Sequence, residues 1–474
     1  MNLGKLLVLG LSACVAPAPA SLSTHSSAVT ETCTVVAPSG GDDRAALQAA
    51  FNTGCAHLTG TISVLTPPMP RARQILTAPR GLHVYGDGAA ATRLTFTGAT
   101  NGYDWRGIQG ACGMRMHDLR VDNPAVVATT PNDQVPLIRF DGDGCTDSVE
   151  IDHMTFANPT LGGDCMQFVG YDVTTPTDRR IWNVSVHDSL FENCSRSGIA
   201  IHSGLHHCSI KDNRFLDTWD QDIDGESGGS HGLDDCEVAD NLFVRGPHAQ
   251  SAISMAPQDW SNAHIHHNRF DGRSLDVYGC QTCEQDHNVI LNTMPGPPSL
   301  YMRKNLVDVA IHHETYEHPG PTLAAIVKIE QAGSVHPINV TIRDSKFIQH
   351  AGTTSIAAIG VVGFYFEYNT VTYDGAVARM AMDVQPSAGT YGVQTTDVHV
   401  RDSTFTSALP WQAVLHLNGG GYGTGAFELT NVWATSATRG LWCENLNTAV
   451  GVQGPATYAG NTLPAPICGS VIPL

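Results

Sequence analysis

Asp222, Asp224 and Glu226 occupy alternate positions in the segment Asp222-Ile-Asp-Gly-Glu226. On a β-strand, alternate residues share one face about 6.6 Å apart, so this spacing lines three carboxylates along one side. Like charges at that distance raise one another's affinity for a proton unless a cation or a shared proton relieves them. Two chemistries follow. Calcium is bound by carboxylate oxygens of this kind, which makes Asp222, Asp224 and Glu226 a candidate calcium site. A carboxyl that keeps its proton can instead serve as a general acid. The plain alternative is an acidic, solvated strand in an acidic chain.

Other alternating segments supply neighbours if they stack in register as one sheet. Lining them up gives Arg139 and Asp141, Gln167 and Val169, Ala200 and His202, then the carboxylate trio, then Ala252, Ser254 and Ala256. Asp276 and Tyr278, Tyr301 and Arg303, and Lys328 and Glu330 come next. His202 then lies one rung from Glu226, close enough to exchange a proton with it. The small residues leave a dent, and across it Asp276 lies two rungs from Asp224, about 9.5 Å away. That separation is near the upper end for an inverting pair of glycosidase carboxyls. Tyr278 and Tyr301 offer aromatic faces for sugar rings, and Arg303 and Lys328 place cations on adjacent rungs. These residues are expected to line a solvent-facing groove.

The elements that position them are short strands. A pattern of alternating apolar residues followed by Asp-Asn or Asp-Ser, one residue and Phe recurs along the chain. It appears as Val184-Ser-Val-His-Asp-Ser-Leu-Phe191, Cys208-Ser-Ile-Lys-Asp-Asn-Arg-Phe215, Cys236-Glu-Val-Ala-Asp-Asn-Leu-Phe243 and Ala263-His-Ile-His-His-Asn-Arg-Phe270, and again ending at Phe347 and Phe405. Copies are about 24 to 35 residues apart, a solenoid period, and no helical 3.6 periodicity separates them. One rung cannot bury its apolar face alone, so the rungs must stack into a continuous core. The Asn before the aromatic (Asn213, Asn241, Asn268, Asn288, Asn369) reads as a corner residue that tolerates left-handed backbone and bonds to neighbouring turns.

These rungs, the Asn corners and the opening segment Ser39-Gly-Gly-Asp-Asp-Arg-Ala-Ala-Leu-Gln-Ala-Ala-Phe51 resemble the pectin-lyase-like family of β-helices. The resemblance implies an all-β fold, a right-handed parallel β-helix with a short N-terminal helix over residues 43–54 capping the core. It implies a glycan in the groove and either hydrolysis or elimination. In lyases of that family a Lys or Arg takes the proton beside an acidic sugar's carboxylate, often with calcium nearby, a role that would fall to Arg303 or Lys328. The family hydrolases' Asn-Thr-Asp and Arg-x-Lys segments are not found here, and Asp234-Asp235 follows Ser230-His231-Gly232 rather than preceding it. A non-catalytic, adhesin-like surface protein that binds glycans is the alternative function.

The first residues read as an export signal: Lys5, then the apolar run from Leu6 to Leu11, too short to span a bilayer. Leu11-Ser12-Ala13-Cys14 resembles a bacterial lipobox, which makes Cys14 the expected lipidation site and an exported, cell-surface or outer-membrane lipoprotein the expected product; plain cleavage after Ala18-Pro19-Ala20, giving a secreted protein, is the alternative. The boundaries that follow are a signal at 1–13, a flexible tether at 14–32, an N-terminal cap and first rungs at 33–100, the β-helix at 101–446 and a C-terminal cap at 447–474. With Cys14 removed from the 13 Cys, an even number remains, as disulfides in an oxidising compartment require. The expected pairs are Cys33 with Cys55, Cys112 with Cys145, Cys165 with Cys194, Cys208 with Cys236, Cys280 with Cys283, and Cys443 with Cys468. A net charge of −19 argues against a nucleic-acid partner. The expected partner is an extracellular polysaccharide, with membrane contact only through the lipid anchor. No cofactor beyond calcium is expected.

Overall fold

In the computed structural model the period-two segments form short parallel strands stacked rung on rung. The structure describes residues 32–474 except 67–72, 98–104, 125–134, 143–146, 160–162, 171–179, 203, 227–232, 252, 295–296, 319–324, 352–353, 376–379, 386–394, 410, 419–426, 435–440, 445–449, 454–456, 459–470 and 474. Cys14 and the expected tether lie outside these residues. Among the described residues, no helix is long and apolar enough to cross a membrane.

A typical coil contributes one strand to each of three faces. Ile199–Ile201 belongs to the first, Leu205–Lys211 to the second and Arg214–Leu216 to the third. Among the described residues, the third face is a sheet of fifteen strands. The first two faces join into one sheet because Ile253–Ser261, Ser274–Gln281 and Leu300–His312 run from one face to the other without a break. Inward residues repeat at each level. Phe156, Phe191, Phe215, Phe243 and Phe270 are buried and stack with ring centroids 4.6–5.2 Å apart. Truncating one of these rings to Ala would cost about 3–5 kcal/mol.

The Asn corner works in two parts. Asn213 donates its side-chain amide to the Val186 carbonyl at 2.8 Å and accepts the Ser189 backbone N–H on its Oδ1 at 3.1 Å, while its own backbone N–H bonds Asn241 Oδ1 at 3.0 Å. Asn241 repeats this with Asn268, and Asn268 with Asn288, so the amides form a buried ladder. The left-handed backbone expected of these Asn belongs instead to the residue before each: Asp212 (φ 54°), Asp240 (φ 56°), His267 (φ 55°) and His287 (φ 53°). Division of labour explains this correction. The preceding residue turns the chain outward at the surface, which frees the Asn to point inward and satisfy buried backbone groups.

The N-terminal helix spans Arg44–Phe51 and buries Leu47, Ala50 and Phe51 in the core. Asp43 precedes it and accepts hydrogen bonds from the Ser39 and Ser63 backbone N–H groups at 2.9 and 3.0 Å, tying the helix to the first coils. Four expected disulfides are present: Cys33–Cys55, Cys165–Cys194, Cys208–Cys236 and Cys280–Cys283. The other two expected pairs involve Cys145, Cys443 and Cys468, whose side chains lie outside the description.

Candidate active site on the first face

The strands of the first face align in a single register. Arg139 pairs with Gln167, Gln167 with Ala200, Ala200 with Asp224 and Asp224 with Ala256. Met255 opposite Leu275 sets Ala256 beside Asp276, and the column continues through Tyr301 to Lys328. Segments separated by unequal lengths of chain thus meet as their alternation demands, because a one-residue slip would turn every core residue outward.

Asp222 and Asp224 are buried rather than exposed, and only Asp224 and Glu226 converge, on one guanidinium; Asp222 is held apart from them. Asp222 is fully buried, and its Oδ2 accepts a hydrogen bond from Ser254 Oγ at 2.7 Å while its Oδ1 lies 3.5 Å from the buried Arg273 guanidinium. Asp224 is 4% exposed and turns to Arg196, with Oδ2 3.3 Å from Nη2. Glu226 is partly exposed and pairs with the same Nη2 of Arg196 and, at 2.8 Å, with His202 Nδ1. The physical reason is charge compensation: like carboxylates leave water only when cations and donors meet them. Arg196, in the turn before Ile199–Ile201, also binds the buried Asp164 through Nη1 at 3.0 and 3.1 Å. It supplies the positive charge for which calcium is invoked from sequence alone. Gly225 completes the packing, since a Cβ there would stand 2.6 Å from Trp260 Nε1.

His202 is held at both ends. Its Nε2 lies 2.8 Å from the Gln167 amide nitrogen, and its Nδ1 lies 2.8 Å from Glu226 Oε2. The two carboxyls of the next rung are thereby driven apart. Burial first, and the adjacent Glu226 charge second, push the Asp224 carboxyl well above the usual carboxylate range. Burial also pushes Glu226 up, but the hydrogen bond and charge of His202 together with Arg196 outweigh it and hold Glu226 low. The pair is thus biased in opposite directions, Asp224 towards its protonated form and Glu226 towards its ionised form. Divergent neighbours of this kind are how one site provides an acid and a charge stabiliser together.

Beyond Ala256 lies a second cluster. Asp276 Oδ2 receives Arg303 Nη2 at 2.8 Å, while its Oδ1 is buried with no hydrogen-bond partner among the described residues. Burial raises its proton affinity, against the lowering by Arg303. The Arg303 guanidinium sits between the Tyr278 and Tyr301 rings, 4.6 Å from each centroid. Lys328 lies 5.1 Å from the Tyr301 ring centre and 2.5 Å from Glu330 Oε2. Desolvation, then the nearby Arg303 charge, lowers the proton affinity of Lys328.

No protein-family model matches the sequence, and no curated protein matches it. Among solved structures, the chain is similar to the A-module of mannuronan C-5 epimerase AlgE6 from Azotobacter vinelandii, with 14% identity and a TM-score of 0.45 over 87% of this chain and 94% of that one. It is also similar to the catalytic unit of a GH87 α-1,3-glucanase from Streptomyces thermodiastaticus, at 12% identity and a TM-score of 0.41 over 85% and 62% of the two chains. A third likeness is to the pre-mature gene product 12 of bacteriophage phi29, at 11% identity and a TM-score of 0.45 over 88% and 64%. The strand pairing of this chain itself makes the fold a parallel β-helix. The activity has to be read from this chain's own side chains, because likenesses so distant carry none.

The sequence-derived residues thus fall into two groups, Asp224, Glu226 and His202 in one and Asp276, Tyr278, Tyr301, Arg303 and Lys328 in the other, with Asp222 in neither. Sequence reading misses Arg196, Asp164 and Arg273. Arg196 sits in the non-periodic turn Cys194-Ser-Arg-Ser-Gly198, where spacing gives no side-chain direction. The one available signal is the charge deficit itself: a carboxylate trio without a cation demands one from a neighbouring turn.

Proposed function

We propose that the chain is an exported, polysaccharide-active enzyme, tethered through Cys14, that hydrolyses a glycan laid across the first face. The observation that carries this reading is the column Asp224, Ala256, Asp276. Two carboxyls with raised proton affinity flank a residue too small to fill the space between them. Two strand spacings separate their backbones by about 9.5 Å, room for a sugar and a water between acid and base. Asp224 acts as the acid, with burial and the adjacent Glu226 charge keeping its proton in place against the pull of Arg196. Asp276 acts as the base once Arg303 favours its charged form. Tyr278 and Tyr301 provide a platform for the neighbouring sugar.

A second reading, elimination from an acidic sugar, is favoured by Lys328, whose depressed proton affinity suits a base and whose neighbour Arg303 suits a sugar carboxylate. A panel of neutral and acidic polysaccharides separates the two. New reducing ends without unsaturated-product absorbance, lost by ~10² or more in Asp224→Asn and Asp276→Asn, support hydrolysis. Reducing ends with that absorbance, lost in Lys328→Met, replace it with elimination. Binding with neither product leaves a glycan-binding surface protein.

A further inference from the structure

The second face carries a cluster that plays no part in this chemistry. His266, Asp286 and His312 stand at the same register on three consecutive strands, and Glu237, His264 and Glu284 form the adjoining column two residues earlier. Asp286 is at the centre and is 8% exposed. Its Oδ2 lies 3.0 Å from His264 Nε2 and 4.0 Å from His312 Nε2. Its Oδ1 lies 3.1 Å from His287 Nδ1 and 4.0 Å from His267 Nδ1. Donor atoms of His264, His266 and Asp286 all lie within 4.8 Å of one another.

These distances bracket the roughly 3.3 Å between donors around a tetrahedral ion with ligand bonds near 2.0–2.1 Å. Imidazoles with one carboxylate suit zinc, nickel or copper, whereas calcium takes oxygen. The rings are held in place: His266 Nε2 bonds Glu237 Oε1 at 2.9 Å, the carboxylate contact of a ligating imidazole, its Nδ1 meets His267 Nδ1 at 2.8 Å, and the His264 and His266 rings stack at 4.0 Å. Access is open, since a shallow depression of ≈ 450 Å³ lined in part by His207, Asp235, Glu237 and His264 adjoins the cluster.

We propose that His264, His266 and Asp286 bind a divalent transition-metal ion of the zinc class on the second face, with His312 the nearest further ligand. The test is calorimetric titration of zinc into the untagged, chelator-treated full chain. One saturable zinc per chain is expected, undisturbed by excess calcium, and weakened in His264→Ala/His266→Ala by more than the ~100-fold that loss of an outer contact alone causes. His350→Ala, an ion-paired histidine elsewhere, is expected to bind zinc as the parent does. Absence of saturable uptake, equal uptake by the double variant, or equal loss in His350→Ala overturns the proposal. If the double variant fails to melt cooperatively, Asp286→Asn replaces it, and unchanged zinc affinity in that variant overturns the proposal equally.

Discussion

The first and second faces of the β-helix both bring carboxylates into register, but they neutralise them differently. Around Asp224 the compensating charge is Arg196, permanently positive and held by Asp164, Asp224 and Glu226 at once. Around Asp286 the partners are histidines, which carry charge only when protonated. A buried arginine makes a fixed electrostatic frame in which a proton can be retained on one chosen carboxyl. A histidine frame can instead present ring lone pairs beside a carboxylate. On the two proposals made above, the same fold offers proton chemistry on one face and ligand chemistry on another, according to which cation meets the acid.

The largest effect that tests this contrast is removal of the fixed cation. Arg196→Met leaves buried carboxylates unpaired and is expected to cost about 3–5 kcal/mol in urea unfolding. A loss below ~1 kcal/mol would mean that the arginine is not what holds the column. A smaller effect with opposite signs on the two faces is expected from pH. Asp224 has a folded proton affinity raised above its ordinary value of 3.8, so the folded chain holds a proton that the unfolded chain lacks. Its contribution is full below that value and is lost as pH rises through the folded one. Asp286 is lowered from 3.8: burial pushes it up, but the hydrogen bonds of His264 and His287 outweigh this. Its contribution is present above 3.8 and lost as pH falls through the folded value. Relative to the parent, Asp224→Asn should therefore flatten the alkaline side of the stability profile and Asp286→Asn the acid side. The same side flattening in both variants would erase the distinction. The smallest effect is that of calcium: with Arg196 at the carboxylates, millimolar calcium is expected to leave the melting temperature unchanged, and a rise would restore calcium to the first face.

The stacking was legible in the sequence because two periodicities agree, alternation within a strand and recurrence of the Asn-x-Phe corner. Together they locate His202 beside Glu226 and Asp276 beyond Ala256. Burial was not legible. Asp222-Ile-Asp-Gly-Glu226 reads as a solvent-facing strand until a turn from another coil folds Arg196 over it. The corner was half legible: Asn213 was recognisable as a ladder residue, yet its left-handed geometry belongs to Asp212, since both residue types tolerate it. The histidine cluster stayed hidden for a simpler reason. His266, Asp286 and His312 are separated by coils of unequal length, so no fixed spacing joins them until the register is known.

The stacked strands also act as a ruler with coarse graduations. Groups projecting from the same column can differ only by whole coils, about 4.8 Å each, so neighbouring carboxyls fall near the separation of a retaining pair and next-nearest ones near that of an inverting pair. With the Ala256 coil between Asp224 and Asp276, this chain is set at the second graduation. Deleting one coil would move it to the first in a single step, so in such a fold the stereochemical course of a reaction is a counting variable, altered by the number of repeats between two acids rather than by gradual drift of either one.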